Sequence, residues 1–141
     1  MERIAEGVFT PVWGTVFSAE SVAAAIGQPG TAGWLATTIL DGDDAMARDC
    51  LAAVSASWDG HDSLLVDCPE GYTIDRTGGV FQTRDGRSRV RSLVEPIGPG
   101  SPPATVLAPQ EGVRRVDHLA PMWIDGDHEP TEVDPPRGRR I

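Results

Sequence analysis

Residues 80–94 read VFQTRDGRSRVRSLV, and the Asp85-Gly86 pair near the middle of that stretch governs how the rest of the chain is read. An Asp-Gly pair between two β-prone runs favours a two-residue type I′ turn, because both central positions need a positive φ that these residues tolerate. With that turn, Arg84 stands opposite Arg87, Gln82 opposite Arg89 and Val80 opposite Arg91 on one face. Phe81 and Val90 fall on the other face, toward a core. A four-residue loop at 76–79 then adds residues 72–75 as a preceding strand, with Ile74 beside Phe81. The expectation is a three-stranded antiparallel meander with one apolar face, its register fixed by the period of two.

Outward from the hairpin, residues 64–66 (Leu-Leu-Val) read as a buried strand, and residues 33–40 (GWLATTIL) as another. Residues 7–17 are β-prone too, although Pro11 removes an amide donor and suits an edge. Two helices are expected. The first spans 19–26, with Ser18 as N-cap, Phe17 stapled onto Val22, and Gly27 and Pro29 closing it. The second spans 43–58, capped by Asp41 or Asp43, with Ala47, Leu51, Val54 and Trp58 at helical spacing and Cys50 alongside.

Nine of the twelve prolines lie between residues 95 and 136, a density that opposes regular helix and favours extended chain. The fold expected is therefore α+β: a small antiparallel β-meander packed with one or two helices over residues 1–94, and an extended proline-rich C-terminal arm over 95–141. The apolar groups at 106–107, 119 and 122–124 make that arm one that docks, on its own body or on another chain.

Composition limits the chemistry. All twelve basic residues are arginine, so Schiff-base and lysine-nucleophile mechanisms are excluded. Net charge is −9, but residues 1–75 carry −10, residues 76–91 carry +4 and the remainder −3. The basic island sits in an acidic protein, which repels nucleic acid at long range. No apolar run approaches the roughly 18 residues a membrane span needs, and the N-terminus lacks the order of a signal peptide, so a cytoplasmic place is expected, or a virion if the chain is viral. Cys50 and Cys68 are expected as two buried thiols.

Each candidate catalytic or metal group has a plainer explanation. His118, Asp125, Asp127, His128 and Glu129 are metal-ligand types within HLAPMWIDGDHE, yet no paired zinc spacing or calcium loop is present. The calcium frame that starts at Asp41 puts Ala52 where a bidentate glutamate belongs. His61, Asp62 and Ser63 are consecutive and cannot orient one another as a triad. Cys68 with His61 or His118 reads as a buried strand-end thiol rather than a nucleophile. Gly78-Gly79 and Gly98-Pro99-Gly100 do not join a strand to a helix as phosphate loops do. No cofactor and no metal are expected.

What remains is a non-enzymatic protein-interaction or assembly subunit. Arg84, Arg87, Arg89 and Arg91 are the residues expected to meet carboxylates, either of this chain or of a partner, and Met122, Trp123 and Ile124 are the arm's anchor. The expected partner is a protein or a second copy of the chain. Two rivals stand beside this reading: an acidic immunity or antitoxin-type protein that neutralises a basic toxin, and a small enzyme using histidine and aspartate.

Overall fold

The computed structural model describes residues 14–26, 33–42, 44–86, 89–98 and 102–126. The fold is α+β. Among those residues lie two helices, α1 (Ala19–Ile26) and α2 (Cys50–Ala56), and eight strands: β1 (Trp34–Ile39), β2 (Asp44–Met46), β3 (Leu64–Cys68), β4 (Glu70–Ile74), β5 (Val80–Arg84), β6 (Val90–Pro96), β7 (Arg114–Asp117) and β8 (Trp123–Gly126). The strands form two mixed sheets of four, in the orders β1-β6-β3-β7 and β2-β8-β4-β5. None of the described helices is long and apolar enough to cross a membrane.

The chain passes between the sheets with little slack. Pro69 alone separates β3 from β4, so the segment 64–74 leaves one sheet and enters the other. Segment 114–126 tracks it: β7 runs parallel to β3, and β8 parallel to β4. Between the paired strands, His118 N donates to Asp67 O at 2.7 Å and Met122 N to Glu70 O at 3.0 Å. The two segments are thus pinned along their length.

The main core lies among α2 and both sheets, built from Cys50, Val54, Leu64, Val66, Cys68, Val90, Val94, Met122 and Trp123. Alternation along β3 and β6 sends Leu64, Val66, Val90 and Val94 to that core and Leu65 and Leu93 to the other face, where Val106 joins them in a second cluster. The first sheet is therefore covered on both sides, which is why β3 is buried at all five positions. At the heart of the main core the indole of Trp123 lies over Gly71, its neighbour in the parallel β4–β8 register, and donates from Nε1 to Cys68 O at 2.9 Å. A tilted ring pair, Trp34 and Trp58 at 5.6 Å, ties the chain after α2 to β1.

Several expectations need correction. The turn at Asp85-Gly86 does not join a hairpin: β5 pairs with β4, whereas β6 lies between β1 and β3 and has no free edge for β5. The alternation was nonetheless right, since Val90 is buried and Phe81 is turned further inward than Gln82 or Arg84. In the β4–β5 pair Ile74 faces Val80, and Thr73 faces Phe81, because Asp75 N closes onto Gly79 O and shortens the loop to residues 76–78. The three strands from 72 onward are thus a hairpin and a crossover in mixed sheets, not a meander.

The helix expected over 43–58 is shorter. Residues 44–46 are extended as β2 against β8, and α2 starts only at Cys50. Ala47 N donates to Met122 O, which holds this stretch to β8 and away from helical geometry. Cys50 and Val54 still enter the core, but Leu51 is 52% exposed. The first helix matches its expected bounds, and Ser18 caps it, its Oγ accepting from Ser21 N while Ser21 Oγ accepts from Ser18 N. Phe17, expected as a staple, is 74% exposed. The strand expected at 7–17 falls mostly outside the described residues, and 14–17 form none.

The segment from residue 95 onward is not a free arm over its described part. β7 and β8 are strands of the two sheets, and Val106, Met122 and Trp123 are buried, so residues 102–126 dock on this same body. Residues 127–141, including the end of the expected arm, lie outside the described residues.

Candidate functional site

The face of the first sheet that turns away from the main core carries two rows of side chains set by its register. Thr37, Leu93, Leu65 and Arg115 form one, and Ile39, Arg91, Asp67 and Asp117 the next. Asp67 is 4% exposed and sits between two arginines. Arg91 Nε donates to its Oδ1 at 2.7 Å, and Arg115 Nε donates to its Oδ2. Burial pushes the Asp67 carboxyl up, but the hydrogen bonds and charges of Arg115 and Arg91 outweigh it and hold the group below the usual carboxylate range. The same bond raises Arg115 above its ordinary value. Two guanidinium groups thus share one buried carboxylate.

A loop from 102 to 113 covers part of this face and is fixed from below. Glu95, 7% exposed, accepts from the amides of Ala104 and Thr105 at 2.9 and 3.0 Å, one on each oxygen. Thr37 Oγ1 accepts from Val106 N at 2.8 Å. Gln110 Nε2 donates back to the carbonyls of Thr105 and Ala108. At the centre of these bonds Thr105 is fully buried with φ of 64°, a left-handed conformation that a β-branched residue adopts only under constraint. Between the loop and the sheet lies an open cleft of about 560 Å³, lined by the apolar Ile39, Leu65, Val106 and Val113 and by the polar Arg91, Arg115, Gln110 and Glu111.

The arginines expected to form an outward ladder are placed differently. Arg89 bridges Asp44 at 3.3 Å and Asp125 at 3.0 Å, two aspartates opposite each other on β2 and β8, whose side chains are 0% and 3% exposed. It also reaches Asp85 at 3.5 Å and stacks 5.3 Å from the Trp123 ring centroid. Arg84 pairs with Glu70 at 3.0 Å and approaches Asp117 at 3.9 Å. Arg91 serves Asp67, and Arg87 lies outside the described residues. Three of the four thus meet carboxylates of their own chain, at three separate places. Met122 and Trp123 belong to the core, while Ile124 is 41% exposed on β8.

The remaining candidates separate as well. His61 has an 84% exposed side chain, and its Nδ1 lies 3.0 Å from Asp59 O. Asp125 serves Arg89, and the backbone of His118 is tied to Asp67. Asp127, His128 and Glu129 lie outside the described residues, and within those residues no group of three or more metal-ligand side chains comes together. Cys50 and Cys68 form no disulfide; both are fully buried and in contact, and the Cys50 thiol together with burial drives the Cys68 thiol well above its ordinary value, so it stays protonated.

Sequence reasoning missed Asp67, Glu95 and Arg115. For Asp67 a signal existed: one acid inside LLVDC, a strand otherwise apolar, must find a cation when the strand is buried. Glu95 and Arg115 carried no such mark. Comparison with protein-family models, curated proteins and solved structures gave no match.

Proposed function

We propose that the protein is a non-enzymatic interaction subunit that docks through α1 and the two apolar residues before it. One observation carries the reading: none of the eight residues of α1 is fully buried, and Ala19, Val22, Ala23 and Ile26 on one face are only half-buried. A helix that short is unstable in water without packing, since its nucleus is costly and isolated helices need roughly 12–15 residues even to be marginal. Six of its residues are Ala, Val or Ile, and Val16 and Phe17 just ahead are 69% and 74% exposed. A surface of this kind stabilises a complex by leaving water.

The occupant we favour is a second copy, because an isologous contact buries the same patch on both partners at once. Like-charged chains of net −9 repel, so added salt should strengthen this association by screening, opposite to an interface built on ion pairs. Light scattering across a concentration and salt series tests it. The parent should be heavier than one chain, and Phe17→Asp should return it to monomer mass with an unchanged melting temperature. A parent that stays monomeric at every concentration and salt rejects the reading.

A second reading rests on the exposed acids Asp41, Asp49 and Asp62, which suit a basic partner protein. It predicts a one-to-one complex that weakens with salt.

A further inference from the structure

The cleft on the outer face of the first sheet has the attributes of a ligand site, independently of the surface at α1. Its volume of about 560 Å³ falls in the range usual for small-molecule sites. Part of its lining is hydrocarbon, from Ile39, Leu65, Val106 and Val113. The lining also presents two guanidinium groups held in place by one buried carboxylate, with the acids Glu111 and Asp117 nearby. Arg115 engages Asp67 through Nε and its side chain is 55% exposed, so its fork is available at the surface. The wall is preformed, because Glu95, Thr37 and Gln110 fix the loop and Thr105 is locked in a left-handed conformation.

We infer that this cleft binds a small apolar monocarboxylate, its carboxylate on the fork of Arg115 beside Arg91 and its hydrocarbon part over Ile39, Leu65, Val106 and Val113. Planar carboxylates match a guanidinium fork, and with Glu111 and Asp117 close to the arginines a monoanion is repelled less than a phosphate. No aromatic side chain lines the cleft, so a nucleobase would lack its stacking platform. Glu111, also in the lining, opposes any anion and sets a ceiling on affinity.

The test uses the full chain and octanoate, with calorimetry for affinity and amide shift mapping for location. Octanoate should bind one to one and move the amides of Leu107, Val113 and Arg115, while octanol, lacking the charge, should bind at least about tenfold more weakly. Arg115→Gln should weaken octanoate by a similar factor, and Glu111→Gln should tighten it. Ala108→Phe fills the cleft without touching Asp67, and serves if Arg115→Gln fails to fold. Absence of saturable binding, equal affinity for octanol and octanoate, or unchanged binding by Ala108→Phe overturns the assignment.

Discussion

Asp67 illustrates how one residue can organise a face. Its carboxylate is the only acid within β3, and it orders Arg91 from β6 and Arg115 from β7 at once. Because its folded pKa lies below the unfolded value of about 3.9, the folded state binds fewer protons, and the stability it contributes is complete above that value. That contribution disappears as pH falls from about 4 through the depressed folded pKa. Asp67→Asn should therefore lower stability at neutral pH by roughly 1–3 kcal/mol, a figure reduced for the partly exposed arginines. It should also flatten the acid limb of stability against pH. Urea unfolding at neutral pH and near pH 3 checks both, and parallel curves for the two proteins would contradict the assignment.

Among the elements, the join between β4 and β8 is the least tolerant. A Cβ at Gly71 would overlap the indole atoms Cδ2, Cε2 and Cε3 of Trp123, and the ring is held in place because its Nε1 donates a hydrogen bond to Cys68 O and Arg89 lies over it. Gly71→Ala should cost about 1–3 kcal/mol through overpacking and move the tryptophan emission to the red as the indole is displaced. Denaturant titration followed by fluorescence reads both effects. Gly33→Ala, with open space around its Cβ, is the control.

Element by element, the chain's legibility followed the range of the forces involved. Helix α1 was readable because its cap is local, and β1, β3, β4, β5 and β6 because β-branched runs are local too. β2 was not, since the apolar spacing of a helix continues across it and only its pairing with β8, eighty residues on, makes it extended. β7 and β8 were hidden by the surrounding prolines. The Asp85-Gly86 signal gave the right alternation on both sides of the turn and the wrong neighbour, because turn chemistry specifies a reversal while the sheet chosen depends on which edges are free. At the candidate site the arginines were visible and most of their carboxylate partners were not, as the ion pairs of Asp67 with Arg91 and Arg115, and of Arg89 with Asp44 and Asp125, join residues distant in sequence.

On the scale of the whole molecule, the parallel course of segments 64–74 and 114–126 means that neither sheet can be completed early. β8 is the strand that gives β2 its pairing partner, and it also supplies the largest fully buried side chain. A chain ending at residue 112 would keep β1, β3 and β6 together but would leave β2 unpaired and the place of Trp123 empty. Such a truncation should show no cooperative thermal transition, and a sharp one would mean that the earlier residues fold by themselves. For a nascent chain emerging from the ribosome, the implication is a long wait. Residues through 126 must be made before β8 arrives to join β2 and β4, so the earlier strands wait for it, and the half-made protein depends on its strong negative charge to stay apart from its neighbours.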